Sequence, residues 1–289
     1  MFYLIITILL NVVIAAVFKL FPKYNIDTLQ AIVVNYCVCV ITGCLFIGNI
    51  PYTPSAFSSS WFPWSLVTGA CFIAIFNLLA YTTRVHGITT ATISNKLSLI
   101  IPAVFSIILY NERAGLGKIA GIILAIPAVY LTTREKKDTG PRTSLLWPAI
   151  LFVSSGLLDT LVKYIQCTYL ETPASQAAFT TFTFSVAAII GITISAVLLA
   201  TGRTTLQLKN LLAGICVGVP NYFSIYFLIR ALHSNCMQSS AAIPVINIGI
   251  LVASSVMAIL LFRERANSMR LIGLALSVVA ILLIAFGDR

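Results

Sequence analysis

Apolar residues run through this chain in long blocks separated by short polar breaks. The blocks fall at about residues 2–21, 28–48, 61–83, 88–110, 116–133, 145–166, 174–200, 209–231, 237–262 and 269–286. Each is close to the roughly 20 residues that a helix needs to cross a hydrocarbon core of about 30 Å, so the pattern predicts ten transmembrane helices. The first block has no basic leader and no small-residue cleavage site, and it reads as a retained helix rather than a signal peptide. The longest polar stretch, REKKDTGPR at residues 134–142, divides the spans five and five. A first repeat at 1–137 and a second at 138–289 are expected.

The polar punctuation supports that division. NERA at 111–114 and RERA at 263–266 each close one apolar block and open the next, and 264 − 112 gives an offset of 152 that also relates Arg113 to Arg265 and Gly121 to Gly273. An offset of 144 aligns Lys19 with Lys163, Asp27 with Glu171, and Asn77 with Asn221. Five is an odd number of crossings, so the second copy must enter from the opposite side. The expected fold class is therefore all-α integral membrane, with ten transmembrane helices as two inverted five-helix repeats.

Composition points the same way, because 59% hydrophobic and 9% charged residues cannot cover a water-facing surface. The net charge of +10 does not suggest nucleic acid, since the basic residues are spread along the span ends. Loops after the odd-numbered spans hold Lys19, Lys23, Arg84, Arg134, Lys136, Lys137, Arg142, Arg203, Lys209, Arg263, Arg265 and Arg270. The other side holds Arg113, Lys118, Lys163, Arg230 and Arg289. By the positive-inside rule the basic linker is cytoplasmic and both termini face out.

Ten short helices, an inverted duplication, and a Glu-Arg step after the fourth and ninth spans with a glycine several residues into the next resemble the EamA-like branch of the drug/metabolite transporter superfamily. The resemblance covers essentially the whole chain. It implies a transporter of small molecules, with export the commoner direction, and cytoplasmic termini, against the charge count. Pro102 and Pro244, in the fourth and ninth spans, are not equivalent under the repeat, which departs from the family pattern. A bacterial inner membrane is the expected location.

Burying an unsatisfied polar group in hydrocarbon costs several kcal/mol, so polar residues inside spans face partners or a wet cavity. Lys96, in ATISNKLSLIIP with Asn95 beside it, is the strongest candidate and would hold an anionic group of a solute. The structural alternative is a lysine that snorkels to the interface. Asp159 precedes Lys163 by one helical turn, so it forms a structural ion pair or binds an amine or proton. Asn77 and Asn221 form a symmetric pair able to bind a solute from opposite walls or to glue helices together. Tyr81, Tyr222, Asn11 and Asn247 complete the candidate substrate-binding set, with Asn35 as a further mid-span amide. Pro220, directly before Asn221, is placed to kink its helix at the depth of a solute.

Glu112 and Glu264 read as helix-end residues capping the helix that follows each. The seven cysteines read as small hydrophobes; no metal site, cofactor or catalytic constellation is expected, and no GxxxxGK[ST] loop supports direct ATP drive. The reading is a secondary transporter that moves a small polar metabolite, an amino acid or similar zwitterion or organic anion, by alternating access. Its partners are the solute and membrane lipid. Proton or counter-solute coupling, and monomer against homodimer, stay open. The alternatives are an integral membrane enzyme acting on lipid-linked substrates, disfavoured by the absence of clustered acids, and a membrane scaffold or receptor.

Overall fold

The computed structural model describes residues 2–47, 52–110, 115–133, 145–170, 172–233, 239–264 and 267–286. Every regular element among them is helical: α1 (Phe2–Leu20), α2 (Thr28–Ile47), α3 (Pro54–Phe57), α4 (Phe62–His86), α5 (Ile88–Leu97), α6 (Ile100–Tyr110), α7 (Leu116–Thr133), α8 (Leu146–Tyr169), α9 (Pro173–Ala200), α10 (Leu208–His233), α11 (Ser239–Phe262) and α12 (Ser268–Phe286). NERA at 111–114, Arg265 with Ala266, and the basic linker at 134–142 lie outside the described residues. Seven stretches are long and apolar enough to cross a membrane, and three shorter apolar helices within α7, α11 and α12 complete the expected ten. This is an all-helical, multi-pass membrane architecture.

Two elements depart from the ten apolar blocks. One is α3, a four-residue helix in the connection from α2 to α4. The other is the fourth block, expected as one helix and found as two, α5 and α6, separated by a turn at Ser98 and Leu99. The cause is Pro102, which has no N–H to return to the Ser98 carbonyl four residues back. Ser98 O instead accepts from Ile101 N at 2.9 Å, while Ser98 Oγ donates to the Asn95 carbonyl. On α8, Gly156 fits against this turn, where a Cβ would lie 2.7 Å from Ser98 O and 2.5 Å from Ile101 Cδ1.

The helices form two compact units. Unit 1 comprises Met1–Lys19, Leu78–Leu157 and Ser224–Arg289, and unit 2 comprises Leu20–Asn77 and Leu158–Phe223. Each unit takes helices from both sequence halves. The core of unit 1 gathers Ile93, Leu97, Ile100, Ala125, Ala128, Leu251, Ala280 and Ile281 from five helices, and a smaller cluster of Leu4, Ile246 and Ile250 joins α1 to α11.

Unit 2 has a different core, rich in aromatic rings. Trp61, Phe179 and Phe182 pack with Ile165 and Leu170, and Phe57 of α3 meets Phe182 edge-on at 5.2 Å. Its helix ends carry explicit stops. Thr172 and Ser175 form a capping box at the start of α9. At the other end Gly202 takes a left-handed φ of +67°, and the N–H groups of Gly202 and Arg203 return to Leu199 O and Leu198 O. Asp27 caps α2, its Oδ1 accepting from Leu29 N and Gln30 N.

Candidate functional site

Close helix approach sets the polar geometry of unit 2. The GICVG stretch at 214–218 puts two glycines one turn apart on α10, the small-residue spacing that lets membrane helices touch backbone to backbone. A Cβ at Gly214 would lie 2.6 Å from Ala31 O, and one at Gly218 would lie 3.0 Å from Asn35 O. This contact brings Asn221 onto α2, where its Nδ2 donates to Asn35 Oδ1 at 3.1 Å and to Cys39 Sγ at 3.6 Å. Asn35 is fully buried, and among the described residues its own Nδ2 has no hydrogen-bond partner.

The other expected residues of unit 2 are placed separately. Asn77 donates back to Ile73 O within α4 at 2.8 Å. Tyr222 packs its ring over Gly43, where a Cβ would sit 3.3 Å away. Asp159 and Lys163 lie one turn apart on α8 with both side chains exposed.

Unit 1 holds the remaining candidates, and the break between α5 and α6 organises them. Lys96 is half-buried in the last turn of α5. The negative end of the α5 dipole favours its ammonium there, which a mid-helix position would not offer. Asn95 Nδ2 donates to Ser155 Oγ of α8 at 3.1 Å, one residue from the Gly156 contact. Ser94 is fully buried, and among the described residues its hydroxyl has no hydrogen-bond partner. Asn95 and Ser155 are thus joined beside the helix break, with Ser94 and Lys96 the residues on either side of Asn95 in α5.

The remaining three stand apart from it. Tyr81 is exposed and meets Trp147 edge-on at 5.0 Å, Asn11 donates to Thr7 O in its own helix at 2.9 Å, and Asn247 is half-buried on α11.

The duplicated Glu-Arg step has a placement that sequence reasoning missed. Glu264 was expected to cap the helix that follows it, α12. Instead its Oε1 accepts from Ile88 N at 2.8 Å, at the start of α5, and lies 3.2 Å from Lys19 Nζ; Oε2 accepts from Thr89 Oγ1 at 3.4 Å. The side chain is only 8% exposed. Gly87 makes this approach feasible, since a Cβ there would fall 2.6 Å from Glu264 Oε1, and its φ of +90° suits glycine. The role is a helix cap, as expected, on a helix 176 residues away in sequence.

Among the described residues no cluster of His, Cys, Asp or Glu could hold a metal ion. Among the described residues of the break, Lys96 offers a positive charge and Ser94, Asn95 and Ser155 offer hydrogen-bonding groups.

Residues 2–134 match the model of the EamA-like transporter family. A protein of Haemophilus influenzae (strain ATCC 51907 / DSM 11121 / KW20 / Rd), described as an uncharacterized protein, is 25% identical over 296 residues, an alignment covering 99% of this chain and 98% of that protein. That alignment, unlike the family match, runs from one end of the chain to the other.

Proposed function

We propose that this chain, whose residues 2–134 match the model of the EamA-like transporter family, is a secondary transporter for a small polar metabolite with an anionic group. An amino acid, a related zwitterion or an organic anion has the required chemistry. The observation that carries the reading is the broken fourth span, with Lys96 in the last turn of α5 beside buried Ser94 and the bond from Asn95 to Ser155. A helix interrupted at membrane depth leaves backbone groups that need protein or a water-lined cavity around them, and interrupted helices are a recurrent way to build a solute site.

In this reading the Lys96 ammonium holds the anionic group, and the hydroxyls and amide beside it hold its polar edges. Asp159, an in-span carboxylate of unit 2, is assigned proton coupling. Asn221 serves a structural purpose, tying α10 to α2 through Asn35. The aligned repeats at 1–137 and 138–289 favour alternating access by two inverted halves, in a bacterial inner membrane.

Counterflow in proteoliposomes against a panel of labelled amino acids and organic anions tests the proposal. Lys96→Ala is expected to lower the initial rate for the transported solute by about tenfold or more, the loss of one charge-assisted contact. Lys96→Arg should retain part of it. If no solute in the panel moves, or if transport survives Lys96→Ala intact, the assignment fails.

A further inference from the structure

We propose that unit 2 carries an anionic-phospholipid site, separate from the polar break in α5 and α6, in a cleft where the connection from α1 to α2 meets the connection from α9 to α10. The cleft measures about 360 Å³ and is lined by Asn25, Asp27, Arg203, Thr204, Gln207 and Asn210, among others.

Its floor is a closed hydrogen-bond network. Thr204 Oγ1 donates to Asp27 Oδ2 at 3.0 Å, Gln30 Nε2 to Thr204 Oγ1 at 2.7 Å, Asn210 Nδ2 to Gln30 Oε1 at 2.8 Å, and Asp27 N to Asn210 Oδ1 at 3.0 Å. The one acidic side chain in the cleft is thereby occupied, with one oxygen on the α2 N-terminus and the other on Thr204. What the floor leaves over is positive. Arg203 lines the cleft, Lys209 stands exposed outside its lining on the first turn of α10, and among the described residues neither has a carboxylate partner.

The surroundings say which anion fits. Leu206 and Leu208, beside those cations, are 76% and 70% exposed. From Leu208 the exposed stripe continues down α10 through Leu212, Ile215 and Val219, at helical spacing and on a different face from the glycines that pack on α2. A soluble anion would use the cations alone. A phospholipid uses both, its phosphate on Arg203 and Lys209 and an acyl chain along the α10 stripe, since basic residues near a membrane boundary attract anionic headgroups.

The test uses the full-length protein in detergent, titrated with phosphatidylglycerol or phosphatidylcholine of identical acyl chains. Bound lipid is read by native mass spectrometry. Phosphatidylglycerol is expected to bind preferentially, and Arg203→Ala combined with Lys209→Ala should weaken it about tenfold while leaving phosphatidylcholine unchanged. Arg84→Ala, at the end of α4, should leave the preference intact. An unchanged preference in the double variant overturns the proposal, as does displacement of the lipid by millimolar inorganic phosphate, which would mark a soluble-anion site. A measurement on the unmutated protein stands beside these in case the double variant does not fold. A phosphatidylglycerol with a photoreactive headgroup, in vesicles, should crosslink to the peptide spanning residues 201–210, and crosslinking only elsewhere overturns the site.

Discussion

Glu264 holds three groups from two distant parts of the chain: the Lys19 ammonium, the Ile88 N–H and the Thr89 hydroxyl. Two kinds of substitution separate its roles. Glu264→Ala leaves the Ile88 N–H and Lys19 without their acceptor, and a loss of about 1–3 kcal/mol of stability is expected. Glu264→Gln keeps an oxygen for Ile88 and loses only the charge, so it should cost less. Thermal unfolding in detergent ranks the pair, and equal losses would refute the capping role. The Glu-Arg step that identifies Glu264 is plain in the sequence, and so is its place at a helix end. Which helix it caps is not, because the bond depends on Gly87 leaving room at a site 176 residues earlier.

Two helix-level devices share this partial legibility. Pro102 sits openly in the fourth apolar block, yet a proline in a membrane span need not divide it, since neighbours often satisfy the freed carbonyl without a break. Here the neighbour is Gly156 of α8, close enough that the Ser98 carbonyl turns onto Ile101. That pairing is a matter of tertiary contact, beyond what periodicity carries. The GICVG spacing at 214–218 is the more readable case: it marks a close-packed face, and the structure supplies α2 as its partner. Gly218→Leu would drive a side chain into Val38 and the Asn35 carbonyl, and a loss of about 2 kcal/mol or more is expected from overpacking. Loss of monodispersity or a lowered unfolding temperature would register it, and a variant as stable as the parent would show that α10 and α2 do not pack so closely.

For the whole molecule, the ten spans were legible because lipid imposes a length on every crossing. The grouping of helices into compact units is a separate matter from the repeat. The halves suggested by the repeat run 1–137 and 138–289, whereas each compact unit draws on both, and α4, α8 and α10 each leave one unit and finish in the other. Sidedness is a property of the whole chain as well. Twelve basic residues follow the odd-numbered spans against five on the other side, which predicts external termini. A phosphatase fused after Arg289 should then be active and a fluorescent protein there dark; the opposite result restores the cytoplasmic termini that the family resemblance implies.

The division into units also sets an order of assembly during synthesis. Unit 2 ends at Phe223, so every residue of its α2–α10 contact is translated before the Ser224–Arg289 segment of unit 1. Unit 1 cannot be completed at that point. Lys19, in place since the first helix, and the bare N-terminus of α5 both wait for a carboxylate that leaves the ribosome only with residue 264. A chain stopped short of Glu264 therefore lacks the carboxylate that the Lys19 ammonium and the Ile88 N–H share in the folded protein.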